Sequence, residues 1–211
     1  FYGATKICGE AMLRAFHHRY GLEYVGLRYM NVYGPRQDDK GAYVAVIMKM
    51  LDAVDRGESL QIFGDGSQAY DFVHVADCAR ANIMAMKATT TDRFYNIGTG
   101  TRTSIKELAE LLLELTGSAV GVTYQPEGTA FVRNRIGCPE RASREIGFVA
   151  EQGLGEGLEA LISGHLAWKA ESNPAKRAGL AKRIEAVATG AEIPGPGSPD
   201  AILLQHLQKI S

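Results

Sequence analysis

The chain has 211 residues, with 23 Lys and Arg against 24 Asp and Glu and a net charge of −1. That balance argues against nucleic acid as the main partner, which would favour a strongly basic face. Its 45% hydrophobic and 22% charged residues are ordinary for a soluble globular protein, and no stretch approaches the ~18 uninterrupted apolar residues of a membrane span. Cys8, Cys78 and Cys138 are odd in number and far apart, which fits reduced thiols in a cytoplasmic protein and not a disulfide frame or a zinc site. No basic-then-apolar leader opens the chain, so secretion is not indicated. The first residue is Phe1, and the expectation is a piece of a longer protein.

In chain order, residues 3–20 read as a helix with apolar positions at Ile7, Met12, Leu13 and Phe16, stopped by Gly21. Leu22 to Met30, rich in Tyr, Val and Leu, reads as a strand. Residues 31–41 read as a loop, 42–56 as a helix ended by Gly57, and Ser59 to Phe63 as a short strand. A turn at 64–67 leads to a strand at Asp71 to Val75, a helix at 76–88, a strand at Arg93 to Ile97 and a loop at 98–101. Ser104-Ile105-Lys106-Glu107 fits a capping box opening a helix with Leu108, Leu111, Leu112 and Leu115 on its apolar side, stopped by Gly117. Val120 to Tyr124 is a strand, and Glu140 to Ile146 and Glu156 to Trp168 are helices. Strands alternating with helices indicate an α/β architecture. From Lys169 the character changes: residues 169–211 hold 6 basic and 4 acidic residues, an Ala-rich helix at about 175–188, the run IPGPGSP at 193–199 and a short apolar segment from Ile202 to Ile210. The division expected is therefore 1–168 and a tail, 169–211, that is peripheral to any chemistry.

Tyr2-Gly3-Ala4-Thr5-Lys6 places a phenol and an ammonium four residues apart on one helical face. An ammonium beside a phenol favours the phenolate, and an isolated tyrosine, titrating near 10, needs such help to act as a base at pH 7. Alone the pair is weak evidence, since a surface Tyr beside a solvated Lys occurs often by chance.

Further blocks stand downstream. They are Glu10, then LRYMNVYGPR at 27–36, IFGDGSQ at 62–68, DFVHVAD at 71–77, YNIGTG at 95–100 and SIKEL at 104–108. In order and spacing, over residues 2–168, they resemble the extended short-chain dehydrogenase/reductase family, in particular its NAD-dependent nucleotide-sugar epimerases and dehydratases. The resemblance implies the C-terminal portion of a Rossmann-type parallel sheet plus a smaller substrate-binding α/β domain, with the glycine-rich dinucleotide loop and a catalytic Ser or Thr lying upstream. It implies that Tyr2 exchanges a proton with a sugar hydroxyl. It also implies that Lys6 holds the nicotinamide ribose of NAD, with the Tyr29-Met30 backbone beside the nicotinamide. Asn31 and Arg135 would meet the diphosphate of a nucleotide-diphosphate sugar, and Ile62 and Phe63 would lie along the base.

Two positions depart from the family pattern. Tyr70 stands where many relatives carry Arg, so it offers a hydroxyl but no charge. Cys138 stands where an Asp often meets the ribose, and Arg133 is a substitute cation. His74 is read as structural, Gly98-Thr99-Gly100 as a structural turn, Trp168 as core, and Asp77 and Arg80 as lying on a solvated helix face. The reaction implied is epimerisation at C4 through a 4-keto sugar, in a homodimer whose seam includes Ile7, Met12 and Phe16. A 4,6-dehydratase and a non-catalytic nucleotide-binding or interaction relative remain open, because the residues that separate them lie upstream.

Overall fold

The computed structural model describes residues 1–38, 45–127 and 132–172. The start of the helix expected from residue 42, the side chain of Trp168 and everything expected beyond residue 172 lie outside the described residues.

Helix α1 (Tyr2–Tyr20) ends at Gly21, whose left-handed φ of 69° lets its N–H reach the His17 carbonyl at 2.8 Å. Strand β1 (Val25–Tyr29) follows. Asn31–Tyr33, expected as loop, forms β2 instead, because the Asn31 N–H finds the Asp71 carbonyl at 2.9 Å. Helix α2 (Val46–Arg56), strand β3 (Leu60–Phe63) and the short strands β4 (Ala69–Tyr70) and β5 (Phe72–His74) come next. His74 caps α3 (Val75–Lys87) by accepting from the Ala76 N–H, a structural role. After β6 (Arg93–Ile97) and β7 (Thr103–Ser104), helix α4 (Ile105–Thr116) opens on the expected capping box. There the Ser104 hydroxyl accepts from the Glu107 N–H at 3.1 Å, and the Glu107 carboxylate accepts from the Ser104 N–H at 2.7 Å. Strands β8 (Val122–Gln125) and β9 (Asn134–Arg135) precede α5 (Glu140–Ile146) and α6 (Leu154–Ser172). Helix α6 therefore runs past residue 169, where the composition changes.

The chain divides into two compact units. The first is Phe1–Val32, Tyr70–Arg102 and Arg135–Gln152; the second is Tyr33–Ala69, Thr103–Asn134 and Gly153–Ser211.

In the first unit β1 pairs with β6 in parallel, from Val25↔Arg93 to Tyr29↔Ile97. Successive strand residues face opposite ways. Val25 and Leu27 join a core of Val73, Cys78, Ala81, Tyr95, Ile97, Ala142 and Phe148, drawn from β5, α3, β6 and the α5 region. Asp77 and Arg80 belong to this layer and not to a solvated face. Asp77 is 3% exposed and its carboxylate accepts from the Glu151 and Gln152 N–H groups at 3.1–3.2 Å. Arg80 donates to Asp77 at 2.5 Å and to the Val149 carbonyl at 2.6 Å. The helical period correctly placed both on one side of α3, but the loop that covers them comes from some seventy residues downstream, and no local pattern signals it.

In the second unit β3 pairs with β8 in parallel, Leu60↔Val122 to Phe63↔Gln125. Its core gathers Ile47, Met48 and Leu51 of α2, Leu60 and Ile62 of β3, Leu108 and Leu112 of α4, and Leu158, Leu161 and Ile162 of α6. His165 of α6 meets the Asp55 carboxylate of α2 at 2.8 Å.

The three thiols are free but differ in setting. Burial, and then the nearby Asp77 charge, push the Cys78 thiol up to about 11, while Cys8 and Cys138 are exposed. Iodoacetamide at pH 8 is therefore expected to label Cys8 and Cys138 in the native protein and Cys78 only after denaturation. Peptide mass mapping that finds Cys78 labelled as fast as Cys8 would contradict this packing.

Candidate functional site

Helix α1 lies on the side of the β1–β6 pair opposite the apolar core, and none of its 19 residues is buried. What holds it there is mostly polar and aromatic. Gly26 has no side chain, which leaves room for the Phe94 ring of the neighbouring strand to lie across it. Arg14 and Arg28 stand over that ring, their guanidinium carbons 5.6 and 5.3 Å from its centre. Arg28 also reaches α1 directly. Its Nε donates to Glu10 Oε1 at 2.6 Å and its Nη2 to Glu10 Oε2 at 2.5 Å, a bidentate fork. These bonds hold the Glu10 carboxyl below the usual carboxylate range. At the far end of the helix His17 Nδ1 meets the Leu22 carbonyl at 2.8 Å.

On this helix the expected pair is formed. The Lys6 ammonium sits over the Tyr2 ring, 5.1 Å from its centre, and the Tyr2 side chain is open to solvent at 75% exposure. Among the described residues Lys6 pairs with no carboxylate. A phenol accessible to a ligand and touched by a cation is what proton exchange with a hydroxyl needs.

The remaining residues of the first unit are organised by a group the sequence did not single out. Asp71 is fully buried, yet its carboxylate is saturated with donors. It accepts from Thr99 N at 2.9 Å, Thr99 Oγ1 at 2.7 Å, Gly100 N at 2.9 Å and Gly137 N at 3.3 Å. Gly98-Thr99-Gly100 is thus a structural turn, as expected. The backbone of Asp71 is engaged as well, accepting from Asn31 N and donating to the Arg135 carbonyl, each at 2.9 Å. Asn31 and Arg135 are therefore both tied to Asp71 through the backbone, one at its carbonyl and the other at its N–H. The Met30 side chain is wedged beneath, since a Cβ at Gly98 would come within 2.6 Å of its Cγ and one at Gly137 within 2.9 Å. The Met30 N–H is taken by the Ile97 carbonyl.

Arg135 is exposed and has no carboxylate partner among the described residues, whereas Arg133 meets Glu127 at 3.5 Å. Tyr70 is half-buried with its ring 6.3 Å from that of Phe72, and Tyr29 OH donates to Asn82 at 2.9 Å. Cys138 is exposed and its thiol contacts Glu140. Ile62 and Phe63 lie in the second unit, apart in character: the Ile62 side chain is core at 1% exposure, while Phe63 is 49% exposed. The alternation of a strand with one buried face separates the two, and only Phe63 offers its ring. Among the described residues no group of three or more His, Cys, Asp or Glu could hold a metal ion, and no helix is long and apolar enough to cross a membrane.

Parallel strand pairs flanked by helices, one of them carrying a Tyr-x-x-x-Lys helix, make this an α/β protein. Residues 1–98 match the NAD dependent epimerase/dehydratase family, and the chain belongs to that family. It is 31% identical to the UDP-glucose 4-epimerase of Mycolicibacterium smegmatis over 161 residues, 76% of this chain and 51% of the relative. Among solved structures it resembles a UDP-glucose 4-epimerase of Thermotoga maritima determined with UDP-glucose, at 39% identity and a TM-score of 0.73, covering 76% of this chain and 51% of the other. It also resembles the UDP-glucose 4-epimerase of Thermus thermophilus in complex with NAD, at 30% identity and a TM-score of 0.68, covering 76% and 52%. The chain spans about half the length of the curated relatives it matches.

Replacing Asp71 by Asn keeps the shape but turns an amide toward three N–H donors. Urea denaturation is expected to show a loss of about 2–3 kcal/mol, the scale of lost charge-assisted bonds. An unchanged midpoint would show that the buried carboxylate does not hold these loops.

Proposed function

We propose that the whole protein catalyses the NAD-dependent epimerisation of a nucleotide-diphosphate sugar at C4, and that this chain supplies its proton-transfer helix and substrate contacts. The observation that carries the reading is the Lys6 ammonium resting on the exposed Tyr2 ring in a member of this family. Tyr2 takes the proton from the sugar 4-hydroxyl and returns it after the 4-keto sugar has turned. Lys6 keeps a positive charge against the Tyr2 ring throughout. NAD, when bound, supplies hydride acceptance and return. The residues present fit that cofactor, because Lys6 is uncommitted to any described carboxylate and is free to hold ribose hydroxyls beside Tyr2. The Tyr29-Met30 backbone would hold the nicotinamide of NAD.

Asn31 and Arg135, both tied to the Asp71 backbone, suit the two phosphates of the substrate, with Arg135 providing the charge that Tyr70 lacks. In the second unit, which we read as the substrate domain, Phe63 offers its ring to the base. We further read the protein as a cytoplasmic homodimer. Three unbridged thiols suit a reducing compartment, and Ile7, Met12 and Phe16 are 70%, 56% and 48% exposed on α1, as a helix seam between copies requires.

The test is turnover of UDP- or dTDP-sugars by the full-length protein with NAD. Tyr2→Phe removes the proton acceptor and keeps the ring under Lys6, so kcat is expected to fall on the order of a hundredfold or more. Arg135→Ala is expected to raise the substrate dissociation constant about tenfold or more, since a charge-assisted contact contributes about 1.5–3 kcal/mol. A full-length protein that turns over none of these sugars, or a Tyr2→Phe variant as fast as wild type, would overturn the reading. Light scattering that gives a monomer mass at micromolar concentration would rule out the homodimer.

A further inference from the structure

Lys6 has a competitor for its charge on its own helix. Glu10 lies four residues on, and a lysine and a glutamate at that spacing face each other on a helix surface and pair. Yet among the described residues Lys6 has no carboxylate partner, and its ammonium lies over Tyr2 instead. The reason is on the adjoining strand. Both Glu10 oxygens are occupied by the planar fork of Arg28, a geometry that a lysine, as a point charge, cannot match. The other charged group near Glu10 is Arg14, also on α1, and it stands over Phe94. Arg28 itself is held from below by the same ring.

We infer that Arg28 is a positioning residue for the Tyr2–Lys6 pair: by engaging both oxygens of Glu10 it keeps that carboxylate from drawing Lys6 away from the phenol. Arg28 touches neither Tyr2 nor Lys6. Its effect passes through Glu10 alone, which makes the inference separable from ordinary packing. If Arg28 only held α1 against the strand, removing Glu10 as well could not repair its loss. If Arg28 acts by neutralising a competitor, removing the competitor restores the pair. For its turnover arm the inference rests on the epimerase reading; for its geometric arm it does not.

The experiment uses the full-length protein as wild type, Arg28→Met, Glu10→Gln, Arg28→Met/Glu10→Gln and Arg28→Lys. Methionine keeps an unbranched stem over Phe94, and Arg28→Lys keeps the charge as well, so it serves as a folded control that lacks only the fork. The geometric readout is the NOE between the Lys6 ε-methylene and Tyr2 ring protons, assigned with Tyr2→Phe. The kinetic readout is kcat with a UDP-sugar. Arg28→Met is expected to lose the NOE and about tenfold or more in kcat, while the double variant regains the NOE and returns to within about threefold of wild type, the non-additivity expected of coupled residues. Glu10→Gln alone keeps the NOE, and Arg28→Lys falls between wild type and Arg28→Met. An Arg28→Met variant that retains the NOE overturns the inference, as does a double variant no better than Arg28→Met. Absence of turnover in wild type would overturn the epimerase reading and leave the NOE series to decide this one.

Discussion

A buried carboxylate organises the first unit. Asp71 lies out of reach of water, and an ion in that position persists only when donors replace its hydration. They come from two stretches of chain, the turn after β6 and the loop after β9. The backbone bonds of the same residue tie Asn31 to its carbonyl and Arg135 to its N–H. The same residue thus gathers its surroundings twice, through its carboxylate and through its backbone. The Met30 wedge depends on the same arrangement, since it requires the absence of side chains at Gly98 and Gly137.

The two faces of the β1–β6 pair are held by different physics. One buries Val25, Leu27, Tyr95 and Ile97 under α3 and the α5 region, and dispersion and exclusion of water dominate there. The other carries α1 on a ring, two guanidinium groups and a carboxylate, with no buried residue on the helix. Polar attachments of this kind are directional and specify where a helix lies along its axis. Apolar packing tolerates small slides better.

Features set by neighbours in the chain were readable from the sequence. The Ser104–Glu107 box, the stops at Gly21, Gly57 and Gly117, and the pairing of Tyr2 with Lys6 all follow from spacings of three or four residues. Strands β2, β4 and β9 are two or three residues long and exist because distant partners bond to them, so their own composition carries no signal. The burial of Asp77 and Arg80 is illegible in the sequence for the same reason: their partners, Val149 to Gln152, lie far downstream. Asp71 and the Glu10–Arg28 fork share this property. A carboxylate opening a strand ahead of a Gly-Thr-Gly turn is a faint sign of the first, and Glu10 four residues past Lys6 of the second. Ile62 and Phe63 are neighbours in one block, but the period of two in a half-buried strand divides them.

Both strand pairs found in register are parallel, and each joins residues far apart in the chain: Val25 with Arg93, and Leu60 with Val122. Neither can begin to form until several dozen residues beyond its first strand have left the ribosome, and the closure entropy of each loop must be met before its ladder returns anything. The second pairing also starts inside the span that the first must close. Both ladders are therefore late, non-local events in the making of this chain. Such a nascent chain calls for slow, guarded folding, and it draws that requirement from topology alone, whatever chemistry the finished site performs.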